Sequence, residues 1–175
     1  MEELIIIKPR AEYSTQIMEY RQEFLDAGDS MDGCGPLRRF DSASEYLKVC
    51  KDYENPETVP ENLVQATQFI GVRKSDNKLV GMIQVRHYFN EYLEKYAGHI
   101  GYSVRPSERR KGYAKEMLKM TLQFCREIGL DKIMISCVEG NIGSEKTILA
   151  NGGVYEYTVH ERNNDKKLKR FWINL

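Results

Sequence analysis

The chain has 175 residues, with 26 basic side chains matched by 26 acidic ones. That length suits a single domain spanning residues 1–175 with a core of ordinary size. The zero formal charge leaves no overall field to draw the chain to nucleic acid or an anionic membrane, so any anion site is local. The longest apolar runs, such as 4–7, are far too short to span a bilayer. The N-terminus also lacks the basic-then-apolar pattern of a secretory signal, so the expected setting is soluble and cytoplasmic, with no membrane partner.

In chain order, residues 4–8 form a short apolar strand closed by Pro9. Residues 11–26 carry Ile17, Tyr20, Phe24 and Leu25 at helical intervals, with Gly28 as a stop. A glycine-rich loop, 29–39, follows. Ser42 and Glu45 fit a capping box, which starts a second helix through Tyr46, Leu47, Val49 and Cys50. Residues 64–73 and 78–88 read as a hairpin around the polar turn 75–78. The tyrosine-rich connection 90–98 has room for one helical turn. Residues 99–104 alternate Ile100, Tyr102 and Val104 against His99, Gly101 and Ser103, as in a strand with unlike faces. From Ala114 the small or apolar residues Met117, Leu118, Thr121, Cys125 and Ile128 recur at helical spacing, until Gly129 stops the helix. A strand at 132–138, a short helix at 141–151 capped by Asn141, and strands at 154–160 and 170–174 around the polar turn 163–167 complete the chain.

This order, seven strands and four helices, describes a mixed α/β fold. Antiparallel strands come first, and the strand–helix–strand unit over 99–138 implies one parallel pair. Cys34, Cys50, Cys125 and Cys137 show no C-x-x-C spacing, and with His87, His99 and His160 they make no recognisable metal set. Reduced thiols and no bound metal are expected; Cys125 and Cys137 read as small apolar residues.

The stretch 104–114 carries the most chemistry. It leaves a strand, turns through Arg109, Arg110, Lys111 and Gly112, and enters the helix with Tyr113 and Ala114. A tight turn with small residues lets backbone N–H groups approach an anion, and the helix adds unpaired N–H groups and the positive end of its dipole. That is the arrangement of a pyrophosphate cradle. A solvated basic cluster is the plainer reading of Arg109, Arg110 and Lys111, and the turn and helix around them favour the cradle. One short basic cluster does not make a nucleic-acid site.

On these residues the chain resembles the GNAT superfamily of N-acetyltransferases over essentially its whole length. Arg109, Gly112 and Ala114 match that family's Arg/Gln-x-x-Gly-x-Gly/Ala signature. Asn141-Ile142-Gly143-Ser144, leading to Gly152, is similar to its second signature. The resemblance implies a single-domain GNAT fold: a mixed, mostly antiparallel sheet of about six or seven strands with four main helices and a splayed central parallel pair. It also implies acetyl-CoA as cosubstrate and a primary amine, on a small molecule or a peptide, as acceptor. Two departures stand out. The family's frequent last-helix tyrosine, which protonates the departing thiolate, is here Ile148, and Gly153 replaces a frequent aromatic residue. Ser144 instead resembles the serine of ribosomal-protein N-terminal acetyltransferases. Residues 99–106 look like those of a little-characterised bacterial branch. With Ile148 in place of the tyrosine, the alternative is a catalytically silent module that binds CoA or senses acyl-CoA.

An aminolysis site needs a base for the ammonium, donors for the oxyanion and a partner for the thiolate. Ser144 is the candidate thiolate partner. His99 and His87 are the candidate bases, since imidazole titrates in the right range; Glu91 and Glu139 are alternatives, and Tyr102 is placed to line the tunnel. The backbone of Ser103 and Val104 suits an amide-rich pantetheine arm added as an extra strand. Arg109, Arg110, Lys111, Gly112, Tyr113 and Ala114 form the cofactor cradle, and Asn141 serves as helix cap, pantetheine contact or both. Acceptor contacts are expected from 32–39, from 88–96 and from the terminal hairpin. There Asp32, Glu91 and Glu94 could draw a cation, and Tyr88, Tyr92 and Tyr96 could form an aromatic wall, core packing or the contact of a homodimer.

Overall fold

The computed structural model describes residues 2–175. Its strands are β1 (Leu4–Ile7), β2 (Ala66–Arg73), β3 (Lys78–Arg86), β4 (Ile100–Val104), β5 (Lys132–Val138), β6 (Val154–Glu161) and β7 (Lys166–Asn174). Its main helices are α1 (Ser14–Asp26), α2 (Ala43–Glu54), α3 (Tyr113–Glu127) and α4 (Ile142–Leu149). The element order expected from the sequence is therefore observed, and the fold is a mixed α/β one. The helical turn expected within 90–98 is a single π turn, Leu93–Ala97.

The sheet is divided. β1, β2, β3 and β4 pair antiparallel in that order, and β5, β7 and β6 form a second antiparallel sheet. β2 and β3 lie between two helical layers, which explains why they read as nearly continuous apolar runs. On one face Tyr13, Ile17, Tyr20 and Phe24 of the α1 segment and Tyr46 of α2 pack on Ile70, Val72, Leu79 and Met82. On the other, Met117, Leu118, Leu122 and Cys125 of α3 pack on Val80, Ile83 and Val85, and this core runs on through Ile133, Ile135, Phe171 and Ile173 into the second sheet. Burial of that α3 face is what its 3.6-residue periodicity specifies.

The two sheets meet at β4 and β5. These strands are splayed as expected, and among the described residues no parallel ladder joins them. Their connection is one isolated bridge, Gly98 to Ile135. There the His99 N–H donates to the Met134 carbonyl (2.8 Å), and the Met134 N–H donates to His99 Nδ1 (3.0 Å). The imidazole thus takes the place of a backbone carbonyl, and no ladder continues beyond it. Gly98 makes the junction possible: its φ is +70°, and a Cβ there would lie 2.3 Å from the Met134 carbonyl oxygen. Beyond this vertex the facing edges of β4 and β5 are unpaired and open a V-shaped gap.

Two local expectations are corrected. The capping box is not formed, because Ser42 makes no side-chain cap and its Oγ bonds Ser44 Oγ at 2.8 Å. The last strand begins at Lys166, so the expected polar turn is shorter: Lys167 and Lys169 lie within the ladder while Leu168 and Arg170 turn into the protein. Arg170 also donates from its guanidinium to the carbonyls of Glu94 and Lys95, fixing the π turn against the second sheet.

Candidate active site

The gap between β4 and β5 opens into a cleft of about 1010 Å³. Tyr102, Ser103 and Val104 form one wall, and Ser136, Cys137 and Val138 the other. One end is closed by the turn into α3 and the first residues of α4. Arg86, Tyr92, Asp32 and Glu161 lie among the groups lining the remainder.

The turn into α3 is built by backbone conformation. Arg110 has φ +63° and Gly112 +85°, so the chain passes twice through the left-handed region before the helix begins. Glycine takes that conformation without strain. Among the described residues, none of the backbone N–H groups of residues 110–115 has a hydrogen-bond acceptor in the protein. Helix geometry explains the later ones, since the first turn has no preceding carbonyls to bond. Several free N–H groups at the positive end of a 15-residue helix can receive an oxyanion or a diphosphate.

The basic side chains of this turn are mostly engaged elsewhere. Arg109 pairs with Asp29 (2.7 Å), donates to the Val104 carbonyl (3.1 Å) and lies over the Phe24 ring. Lys111 does not line the cleft; it reaches Glu108 at 2.7 Å. Glu108 is buried and also accepts from Arg73 and Lys78, and these three cations hold its carboxyl down at about 2 against the opposing effect of burial. The Tyr113 ring is buried, its hydroxyl bonded by Arg73. Arg109 and Lys111 therefore brace the turn, and Arg109 and Arg110 remain among the residues that line the cleft.

Across the cleft, the Asn141 side chain accepts the Ser144 N–H at 3.1 Å and so caps α4. Ser144 Oγ lies 2.8 Å from the Tyr102 hydroxyl, joining the two walls. Burial pushes the Tyr102 phenol well above its usual range, so it stays protonated. Cys137 lines the same wall with its thiol raised to about 11 by burial, which keeps it a neutral thiol at neutral pH. Ile148 is fully buried and does not line the cleft. Gly153 crosses directly over it, where a Cβ would lie 2.4 Å from Ile148 Cγ2, so the two departures from the family pattern are one packing arrangement.

The histidines are not brought to the cleft. His99 is 5 % exposed, stacked on Phe89 with ring centroids 4.0 Å apart, and its Nδ1 is occupied by Met134. Burial and the nearby Arg86 hold it down at about 4. His87 bonds Thr67 Oγ1 at 2.8 Å beside Phe124. Both expected bases are thus framework residues. Glu91 and Glu139 also lie off the cleft wall.

Further along the cleft lie two charged residues that the sequence did not single out. Glu161, at the end of β6, is 4 % exposed and accepts the Tyr92 hydroxyl at 2.7 Å. Arg86, at the end of β3, extends along Gly101 and makes one long bond, 3.5 Å, to the Gly98 carbonyl. The loop carrying Asp32 reaches the cleft because Gly33 lies directly on Gly101; a Cβ on Gly33 would sit 2.2 Å from the Gly101 carbonyl oxygen. Of the three tyrosines expected as an aromatic wall, Tyr92 lines the cleft, with Tyr96 packed behind it and Tyr88 outside.

With the splayed strands and the left-handed turn in place, the family comparison is decisive: residues 38–150 match the model of the acetyltransferase (GNAT) family. The chain belongs to the GNAT acetyltransferase family. Similar solved structures include the ribosomal-protein-S5-alanine acetyltransferase of Vibrio fischeri, at 17% identity and a TM-score of 0.74 over 99% of this chain and 94% of that one. RimJ of Mycobacterium smegmatis, in complex with CoA-disulfide, is 15% identical with a TM-score of 0.72 over 98% of this chain and 81% of that one. The microcin C7 self-immunity acetyltransferase MccE, in complex with acetyl-CoA and AMP, is 16% identical with a TM-score of 0.72 over 100% and 94%. At these identities the likeness shows the GNAT fold. No curated protein matches the chain in sequence. Among the described residues no group of histidine, cysteine and carboxylate side chains is arranged to hold a metal, and no helix is long and apolar enough to cross a membrane.

Proposed function

We propose that the chain is one acetyltransferase domain that moves the acetyl group of acetyl-CoA to a primary amine by direct attack. The observation that carries the donor assignment is the run of unpaired N–H groups at residues 110–115, which suits a pyrophosphate. The free edge of β4 at Ser103 and Val104 suits the amide groups of a pantetheine arm, with its thioester then directed toward Tyr102 and Ser144.

In this reading the acceptor ammonium enters beside Glu161, whose carboxylate accepts its proton directly or through water. The neutral nitrogen forms a bond to the thioester carbon, the C–S bond breaks as the carbonyl is restored, and the proton that the nitrogen then sheds leaves on the CoA thiolate. Ser144 Oγ donates a hydrogen bond to the departing sulfur while the Tyr102 hydroxyl supports Ser144. Ser144 and Tyr102 thereby supply the polar contact that Ile148 cannot. In this reading Glu161 takes the proton-accepting role in place of the two histidines, and the Tyr92 hydroxyl holds its carboxylate in position.

Acetyl-CoA-dependent thiol release, measured across a panel of amines, tests this reading. Turnover with wild-type protein and its loss in Glu161→Gln are the expected results. Tight acetyl-CoA binding without transfer to any amine would identify a silent binding module instead.

A further inference from the structure

The acceptor end of the cleft holds two opposite charges that do not neutralise each other. Glu161 is almost completely buried, and its carboxylate accepts a hydrogen bond from the neutral Tyr92 hydroxyl. Arg86 is partly buried on the cleft wall, and its side chain has a single bond of 3.5 Å to a neutral carbonyl. Among the described residues neither forms an ion pair with any group, including the other. Every other partly or fully buried guanidinium differs: among the described residues Arg21, Arg73, Arg105 and Arg170 each hold a carboxylate at 2.6–3.0 Å. Buried charges are ordinarily paired because desolvation is unfavourable without compensation. Burial accordingly draws Arg86 below its usual range, opposed by Tyr92 and Asp32. Asp32 lies on the exposed side of the loop, with its carboxylate bonded by Ser30.

We propose that the acceptor is a small amine carrying its own carboxylate, with Glu161 receiving the ammonium and Arg86 the carboxylate. This rests on reading the cleft as an amine acetyltransferase site. Both groups line it, and so does Tyr92, which is bonded to Glu161. A substrate with both charges satisfies both residues at once. A polyamine would leave Arg86 facing a like charge, and a peptide amide would leave it without an anion. A guanidinium fork recognises a carboxylate by paired, charge-assisted bonds, so Arg86 sets specificity without touching the reacting atoms.

The test is a panel of α-, β- and γ-amino acids, each beside its own carboxamide, with spermidine and a tripeptide amide as contrasts. Acetylated product and CoA release are measured at fixed acetyl-CoA. At least one amino acid should show kcat/KM roughly tenfold to a hundredfold above its carboxamide, the range for a charge-assisted contact. Arg86→Met should raise KM for the acid, leave the carboxamide unchanged and bring their ratio near one, while Arg86→Lys should recover part of it. A purely structural role for Arg86 would change acid and carboxamide alike and would overturn the proposal. So would equal rates for acid and carboxamide with unmodified protein, a measurement independent of whether the variants fold. Acetylation of spermidine or the tripeptide amide alone, or no acetylation of any amine while calorimetry shows acetyl-CoA bound, would also overturn it and leave the donor site standing. Absence of acetyl-CoA binding would remove the underlying reading as well.

Discussion

Lowering the pH from 7 to 5 should destabilise the protein through His99, before most carboxylates begin to titrate. The unfolded imidazole titrates near 6.5, whereas burial and Arg86 hold the folded one at about 4. The unfolded chain therefore binds a proton that the folded chain excludes. The associated stability is fully present above about 6.5 and is lost as pH falls from there toward 4. Integrated between pH 7 and pH 5, the loss is about 2 kcal/mol. His87, also lowered by burial, acts in the same direction. His99→Asn separates the two, because an amide oxygen can accept the Met134 N–H without titrating. Urea unfolding at half-unit pH steps is the assay, with stability referenced to pH 7 for each protein. The variant should lose about 2 kcal/mol less than wild type between pH 7 and pH 5. Equal losses in the two proteins would refute the buried, neutral acceptor role of His99 at the sheet junction.

Other consequences follow from contacts around the cleft. Ser144→Ala should reduce kcat by roughly tenfold to a hundredfold with acetyl-CoA affinity nearly unchanged, and Tyr102→Phe should have a smaller effect in the same direction; single-turnover kinetics with calorimetry distinguishes this from a loss of donor binding. Gly33→Ala places a Cβ 2.2 Å from a backbone oxygen at φ +70°, so it should destabilise the fold by more than about 2 kcal/mol in urea titrations. Glu108→Gln removes the charge shared by Arg73, Lys78 and Lys111. Its melting temperature should fall at pH 7, and the difference from wild type should shrink below about pH 4.5, as the wild-type carboxylate gives up its contribution on the way down to about 2.

The parts legible in the sequence are those set by local periodicity. α3 was readable because Met117, Leu118, Thr121 and Cys125 fall on one face, and the short helix after Asn141 because its cap is local. The division of the sheet was implied by the family resemblance and is not written in local pattern, because residues 99–104 alternate in the same way whether a strand is paired on one edge or two. What ends the pairing is the His99 ring meeting Met134, thirty-five residues away. For the same reason the placement of the histidines is not legible: a histidine beside a strand can face a cleft or the core, and Phe89 and Met134 decide for His99, Thr67 and Phe124 for His87. Arg86 and Glu161 end strands of different sheets, and neither stands out until the fold sets both in the lining of one cleft. Tyr92 is named in the tyrosine-rich connection, Glu161 is covered only by the general expectation for the terminal hairpin, and Arg86 has no sign in the sequence. The basic cluster drew attention to the right turn through side chains that mostly brace it, as Lys111 does with Glu108.

The central claim is that the turn into α3 holds the donor through its backbone. Amide spectra of isotopically labelled protein titrated with acetyl-CoA test it directly. The N–H resonances of residues 110–115 should shift downfield and become protected from hydrogen exchange as the complex forms, because these groups lack acceptors in the free protein. Saturable acetyl-CoA binding that leaves those amides unshifted and unprotected would contradict the account.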